Sequence, residues 1–184
     1  MQNKIRLLCI ALLAALLAGI GLGAAAACRG DVSALFVAAR HSMDSPSMCL
    51  DSFLKALGHH AAAAALLWVC GTTVLGGLPT LFLSGARGFS IGYAVGALVH
   101  SFGLRGFFAA ICGVFPHNLF YIPILGILAL YALRFSLEKG NTRRGGLWHY
   151  SLTILLISLP LLFGCLVEGY ISAPLLKSIL GAHL

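Results

Sequence analysis

The residues best suited to chemistry lie inside a long apolar run, where positions 115–123 read FPHNLFYIP. Each proline lacks a backbone N–H and clashes with the preceding turn, so Pro116 and Pro123 predict a broken helix. His117 and Asn118 can supply hydrogen bonds to the backbone groups that such a break would free. Irregular backbone at membrane depth must be buried in protein or line a wet cavity. The segment is therefore either a transport or ion site, or a re-entrant hairpin or kink that shapes the bundle for a partner.

Catalytic and metal-binding patterns are weak elsewhere in the chain. His100 and His117 each lack a second histidine three or four residues away, and His59 and His60 lie at the edge of an apolar run, where we expect them to be interfacial. The motifs G-x-S-x-G and H-E-x-x-H are absent, so no pattern joins a nucleophile or a metal to a general base. The sequence therefore predicts a protein that is not an enzyme, with no catalytic residue, metal or cofactor.

Composition indicates that lipid is the solvent for most of this chain. Of its 184 residues, 60% are hydrophobic and only 9% are charged, whereas soluble domains carry about 25% charged residues. A formal net charge of +7 would suggest nucleic-acid binding in a soluble protein. Here the basic residues lie at the ends of apolar runs, which favours contacts with lipid headgroups and excludes nucleic acid as a partner.

Five uncharged runs are long enough to cross a bilayer, which takes about 20 apolar residues. We expect one all-α membrane domain, 1–184, with transmembrane helices at about 5–28, 61–84, 88–104, 106–135 and 147–168, the fourth broken at Pro116–Pro123. Segments 29–60 and 169–184 would lie outside. The first run also resembles a signal peptide, but its 22 uncharged residues exceed the usual apolar region of about 7–15, which favours a retained helix.

The distribution of Lys and Arg predicts the orientation of these helices. With the N-terminus inside, seven basic residues lie inside and five outside, as cytoplasmic loops prefer. The predicted topology anchors are the basic residues at the inner helix ends: Arg87, Arg134, Lys139, Arg143 and Arg144. We therefore expect a multi-pass membrane protein with a cytoplasmic N-terminus and an extracytoplasmic C-terminus.

Small residues in the third run predict close helix packing. Gly88, Gly92 and Gly96 recur every four residues, line one helix face, and let another backbone approach. The partner helix would belong to the same chain or to a second copy in a homo-oligomer.

The predicted outer segments contain two amphipathic patterns. Leucines and a phenylalanine between positions 50 and 57 follow helical spacing, which predicts a helix lying on the outer leaflet or packed on the bundle. Leu175, Leu176 and Ile179 form an apolar stripe in the tail. Cys28 and Cys49 could meet outside the membrane as a disulfide.

Several blocks of the chain resemble stage II sporulation protein M. They are GLP (77–79), GARGFSIGYAVGAL (85–98), GLRG (103–106), FPHN (115–118) with IP (122–123), and EGYISAPLLKSI (168–179). The likeness covers roughly residues 66–180 and keeps the order of the blocks. It implies a non-enzymatic scaffold in a bacterial cell membrane, for forespore engulfment during endospore formation. Such a scaffold recruits stage II sporulation proteins D and P to the septum and mother-cell membrane for peptidoglycan remodelling.

On this resemblance, the outer pieces 31–60 and 168–184 would contact partners, and the candidate contacts are Glu168, Tyr170, Leu175, Leu176 and Ile179. The alternative function is a small multi-pass transporter or channel subunit built around Pro116–Pro123. Carboxylates and lysines inside the apolar runs would favour transport, since intramembrane charge marks ion pathways, and the five uncharged runs, the last of which is 145–167, contain none.

Overall fold

A computed structural model describes residues 2–33, 36–37, 47–73, 77–137 and 144–180, and all regular structure among them is helical. The helices are α1 (Gln2–Arg29), α2 (Met48–Thr72), α3 (Gly77–Ala109), α4 (Phe115–Leu137), α5 (Arg144–Val167) and α6 (Ala173–Leu180). A first π turn, Ala110–Val114, joins α3 to α4, and a second, Glu168–Ser172, joins α5 to α6. The predicted all-α class is confirmed.

Four helical stretches are long and apolar enough to cross a membrane: Arg6–Arg29, Met48–Thr72, Leu78–Ser136 and Gly146–Ile179. The third has 59 residues, about three times what one crossing needs. It reverses at Gly103, whose φ of 55° and ψ of −128° are not helical. The predicted polytopic bundle is thus confirmed, with residues 77–102 and 104–137 as two antiparallel arms.

Contacts across the reversal establish the hairpin. Leu98 packs in one cluster with Ala109 and Ala110, and the Arg87 Cζ atom lies 5.4 Å from the Tyr121 ring centroid. In a straight helix, residues 87 and 121 would be about 50 Å apart. The two arms therefore lie side by side with a single glycine at the corner.

The boundary between the second and third helices differs from the sequence-based expectation. Helices were expected at 61–84 and 88–104, but α2 ends at Thr72 and α3 begins at Gly77. Thr73 is extended, with φ −102° and ψ 152°, and its N–H and hydroxyl both bond to the Cys70 carbonyl. Pro79 then lies in the first turn of α3, where its missing N–H costs nothing. As a result, Arg87 lies inside α3 and not at its end.

The start of α2 also differs from the expectation. The helix begins at Met48 and continues without interruption to Thr72, so the amphipathic segment at positions 50–57 is its first two turns and not a separate surface helix. Lys55, expected in an outer segment, lies in those turns. The described cysteines, Cys28 and Cys49 among them, are free thiols.

The expected break at Pro116–Pro123 is wrong. Pro116 lies in the first turn of α4 and Pro123 lies within it, and the helix continues to Leu137. The irregular backbone comes earlier, in the first π turn, whose wider hydrogen-bonding pattern adjusts the ladder ahead of Pro116. The Asn118 amide Nδ2 donates to the Val114 carbonyl at 2.7 Å, which is the kind of replacement bond that the sequence suggested.

The glycine face of α3 packs against α1 of the same chain. Gly88, Gly92 and Gly96 all approach α1, and a Cβ atom at Gly88 or Gly92 would collide with a backbone carbonyl of α1. Gly19 and Gly23 present the matching face, where a Cβ would collide with carbonyls of α3. Intramolecular packing therefore accounts for the four-residue spacing.

Candidate functional site

Polar side chains from α2, α3, α4 and the second π turn converge inside the bundle. We call this group the polar cluster; its members are His60, Arg87, His117, Asn118, Tyr121, Glu168 and Ser172. His60 is the thirteenth of the 25 residues of α2, and Tyr121 lies halfway along the arm 104–137. The cluster is thus near the middle of the bundle, where ionisable side chains are costly and mark functional sites by default.

One half of the polar cluster is built on His60. The Arg87 guanidinium Nη2 lies 2.9 Å from His60 Nε2 and 3.2 Å from Nδ1. The His60 ring in turn stacks on Tyr121, with centroids 3.5 Å apart and planes at 32°. Because a guanidinium can only donate hydrogen bonds, the imidazole nitrogen that it contacts must carry a lone pair. Arg87 also lies within cation–π range of Tyr121.

Glu168 places an opposite charge against the same two rings. The Tyr121 hydroxyl donates to Glu168 Oε2 at 2.9 Å, and His60 Nε2 lies 3.9 Å from that oxygen. Arg87 and Glu168 therefore share two aromatic neighbours, which link a cation on α3 to an anion 81 residues later in the chain. Within the described part of the chain, Arg87 Nε is buried and has no hydrogen-bond partner.

The other half of the polar cluster connects the two π turns. His117 Nδ1 lies 3.1 Å from Ser172 Oγ, and Asn118 Nδ2 lies 3.2 Å from His117 Nε2. Since an amide nitrogen can only donate, Nε2 is the acceptor and Nδ1 carries the proton that is donated to Ser172. The histidine thus presents a proton to the serine and not a lone pair, which is the opposite of what nucleophile activation requires.

Glycines let the π turns approach their neighbours closely. A Cβ at Gly113 would lie 2.7 Å from Leu176 Cδ1, and a Cβ at Gly169 would lie 2.8 Å from the Cys49 carbonyl oxygen on α2. The absence of side chains at these two positions therefore brings both π turns against adjacent helices. The packing fixes the backbone that carries Glu168 and Ser172.

A cavity of about 420 Å³ opens beside the polar cluster. We call it the polar cavity; its charged and aromatic-nitrogen lining comes from Lys55, His59, His60, Arg87, His117 and Glu168. With the imidazoles neutral, two cations face one carboxylate. Among the described residues, no group of three His, Cys, Asp or Glu side chains is placed to hold a metal ion. The arrangement is suited to polar or anionic ligands.

Several predicted site residues lie elsewhere than expected. Arg87 is not an anchor at an inner helix end but a half-buried member of the polar cluster, and Glu168 points at Tyr121 and not outward. His60, expected at an interface, is 2% exposed. The expectations for Arg87 and Glu168 fail for one reason: hydropathy makes each charge a helix end, although tertiary contacts compensate both charges.

The remaining predicted positions divide by burial. Tyr170 is 53% exposed and Leu175 is 39% exposed, whereas Leu176 and Ile179 pack against Leu98 and its cluster. Arg134 is exposed in the last turn of α4. Arg144 is the first residue of α5, and Lys139 and Arg143 lie outside the described residues.

The sequence held one signal that could have identified the polar cluster. GLP at positions 77–79 is a helix start, with one more glycine directly before it and a proline in the first turn. A helix that starts there and ends at Gly103 has Arg87 in its middle. His60 and Glu168 offered no comparable signal, because only the tertiary fold brings them to Arg87.

Comparisons with known proteins give one positive result. The family model described as Stage II sporulation protein M matches residues 8–173, which includes α1 to α5 almost completely and the entire polar cluster. No curated protein and no solved structure has significant similarity to the chain.

Proposed function

Because the chain belongs to the stage II sporulation protein M family, we propose that it is a non-enzymatic membrane scaffold for forespore engulfment. It would recruit peptidoglycan-degrading partners, stage II sporulation proteins D and P, and localise them at the septum and the mother-cell membrane. The observation that carries this proposal is the extent of the family match, which spans 166 of 184 residues and so includes every long helix.

The surface of the bundle supports a scaffold of this kind. Large apolar side chains such as Leu155, Leu156 and Phe163 are exposed along α5, as expected of a face that contacts lipid. The longest connection between the long helices, residues 30–47, has 18 residues, which is too few for a separate catalytic domain. Peptidoglycan cleavage would therefore be performed by the recruited proteins.

The exposed residues of the C-terminal segment are the best candidates for partner contacts. Tyr170 and Leu175 are accessible, whereas Leu176, Ile179 and Glu168 are engaged within the bundle. Deleting the whole tail would remove Glu168 from Tyr121 and disturb the fold. Point substitutions at the two accessible positions test the partner surface without that complication.

The test is co-purification of stage II sporulation proteins D and P with the full chain from sporulating cells. Tyr170→Ala with Leu175→Ala should abolish recovery of these partners, because truncation removes the exposed apolar contacts. Trp148→Ala with Leu155→Ala is the control, since it truncates an aromatic and a leucine on α5 that are more exposed than Tyr170 and Leu175. Equal recovery with both double variants would contradict the proposed surface, and no recovery with the unaltered chain would contradict the scaffold.

A second candidate function is a small transporter or channel subunit, and the polar cluster is the observation that favours it. The uncharged runs of the sequence contain no carboxylate, which argues against transport. Glu168 and Arg87 nevertheless lie within the bundle, beside a cavity of about 420 Å³, as in proteins that carry polar solutes through a membrane.

Flux measurements in proteoliposomes distinguish the two candidates. A transporter should give proton or chloride flux, followed with pH-sensitive and chloride-sensitive dyes, that is lost in Asn118→Ala and Glu168→Gln and retained in the Tyr170 and Leu175 double variant. The scaffold should give no flux above that of empty liposomes. Its partner recovery should be lost in the Tyr170 and Leu175 double variant.

A further inference from the structure

A second cavity adjoins the polar cavity. We call it the apolar cavity; its volume is about 610 Å³ and its walls are aliphatic residues of α1, α2, α3 and α4, including Leu12, Leu13, Leu16, Ala62, Leu66 and Leu130. His59, Arg87 and Ser90 line both cavities. The two cavities therefore meet at the Arg87 guanidinium, with the polar cavity on one side and the apolar cavity on the other.

The polar cavity is suited to an anion. Lys55 and Arg87 outnumber the one carboxylate, Glu168, in its lining. The guanidinium donates to His60 but retains a buried Nε–H with no partner in the described structure. Arginine forms its strongest hydrogen bonds with carboxylates and phosphates. An anionic group beside Arg87 would satisfy that donor and balance the excess positive charge.

The apolar cavity is suited to a hydrocarbon chain. Leu13 and Leu66 are 56% and 50% exposed, so its rim faces the outside of the bundle, where the acyl chains of a bilayer would lie. Its volume falls within the range of about 300–1,000 Å³ that is typical of ligand sites. A small free anion would leave the apolar cavity unfilled, and an uncharged lipid would leave the excess positive charge of the polar cavity uncompensated.

We propose that the two cavities form one binding site for an anionic lipid. The headgroup contacts Arg87 and Lys55, and the acyl chain enters the apolar cavity between α1, α2 and α4. This proposal does not rest on partner recruitment, and it gives the polar cluster a ligand that the surrounding membrane itself can supply.

The test uses palmitic acid with a photoreactive diazirine in its chain, added to the full chain purified in detergent. Irradiation followed by peptide mass spectrometry should place the label on residues of the apolar cavity, such as Leu13 and Leu66. The corresponding alcohol should label at least about tenfold less, because it lacks the charge-assisted hydrogen bonds to Arg87. Labelling spread over all exposed leucines, or equal labelling by acid and alcohol, would overturn the proposal.

Two pairs of variants make the test specific. Ala62→Phe places a ring in the apolar cavity and should abolish labelling there, whereas Ala61→Phe, the same change at an exposed neighbour outside the cavity lining, should leave it intact. Lys55→Gln should reduce the preference for the acid over the alcohol, whereas Lys177→Gln, at an exposed position of α6 outside both cavities, should not.

Competition with inorganic phosphate separates the lipid from a free anion. Phosphate at millimolar concentration should displace little of the fatty acid, because it cannot use the apolar cavity. Complete displacement by phosphate, together with equal labelling of the two phenylalanine variants, would show that only a small anion is recognised and would overturn the proposal.

Discussion

Arg87 carries a positive charge into the interior of α3, and its neighbours are those that such a charge requires. A buried charge without partners is strongly destabilising, whereas one that is hydrogen-bonded and balanced is tolerated. His60, Tyr121 and Glu168 provide the hydrogen bonds and the opposite charge within 2.9–3.9 Å of one another. The polar cluster therefore holds three helices and the second π turn in one arrangement.

Removing one charge of the cluster should cost more than removing both. Arg87→Gln leaves Glu168 without its opposite charge, and we expect a loss of about 2 kcal/mol or more in the free energy of unfolding. Adding Glu168→Gln restores neutrality, so the double variant should be more stable than the sum of the single effects. Denaturation in detergent micelles measures all three. Effects that add within about 0.5 kcal/mol would show that the charges are not coupled.

The Tyr121 hydroxyl should contribute separately from its ring. Tyr121→Phe keeps the stack on His60 but removes the bond to Glu168, and hydrogen bonds to charged groups are worth about 1.5–3 kcal/mol. The same measurement on Tyr170→Phe, where the side chain is exposed, should change stability by less than about 0.5 kcal/mol. A Tyr121→Phe protein as stable as the original would contradict the role assigned to this bond.

At this scale the sequence was partly informative. It singled out His117 and Asn118, and the structure places both in the polar cluster with Asn118 bonded to the Val114 carbonyl. It misplaced Arg87 and Glu168, because dividing a sequence into uncharged runs makes every charge a boundary. The compensation of Arg87 depends on a residue 81 positions away, which no local pattern reveals.

Glycines set the geometry of the helical elements. The match of Gly88 and Gly92 with α1 brings two backbones into contact, so that dispersion and close packing stabilise a pair of helices that lipid would otherwise solvate equally well. Gly103 makes the reversal between the arms of the hairpin. Its φ and ψ are those of the first central residue of a type II′ turn, a conformation favoured only by glycine.

Adding one methyl group to the α1–α3 interface should separate the helices. In Gly92→Ala the new Cβ would collide with the Ile20 carbonyl. Overpacking of this kind lowers the free energy of unfolding by about 1–3 kcal/mol. Gly21→Ala is the control, since a Cβ there would meet no atom of the described structure within 4 Å and should be neutral or slightly stabilising. Unfolding in detergent distinguishes the two. Equal stability would contradict the packing.

Substitution at the corner of the hairpin should strain its backbone. Gly103→Ala forces a side chain into a conformation with φ of 55°, at a cost of about 1–3 kcal/mol. Gly126→Ala is a control within the same hairpin, because its position is helical and a Cβ there has open space. Only the first variant should lower the midpoint of unfolding.

The helical class and the order of the helices were predictable, since long apolar runs must satisfy their backbone groups internally. Two features of the helix boundaries were not predictable. The connection after Thr72 is itself apolar, so hydropathy does not mark it, whereas Arg87 interrupts hydropathy within a continuous helix. The prolines of the fourth run were also misleading, because a π turn before Pro116 accommodates the first of them and α4 continues through both.

For the whole molecule, the fold places helix ends on two sides. The Ser136 hydroxyl donates to the Thr73 carbonyl at 2.6 Å, so the ends of α2 and α4 are on the same side. Phe36 packs on Phe102 with ring centroids 5.1 Å apart, which puts the chain after α1 beside the hairpin corner. This agrees with five antiparallel crossings, and Arg134 with the basic segment 139–144 then favours the Thr73 side as cytoplasmic.

Accessibility of introduced cysteines tests that orientation. In a chain whose six native cysteines are replaced by alanine or serine, an impermeant thiol reagent applied to intact cells should label a cysteine at Ser33 or Leu104 and not one at Thr73. Permeabilised cells should label all three. Labelling of Thr73 and Leu104 from the same side of intact cells would contradict the arrangement of the hairpin.

The position of Arg87 also bears on how the chain enters its membrane. During synthesis, α3 leaves the ribosome long before Glu168 and even before Tyr121, so the guanidinium first meets the translocon with His60 already made but without its opposite charge or the Tyr121 ring. An arginine at the centre of a helix costs about 2.5–3.5 kcal/mol on insertion. We therefore expect α3 to remain at the insertion machinery until later segments arrive, and nascent chains that stop short of Glu168 to be preferred substrates of membrane quality-control proteases.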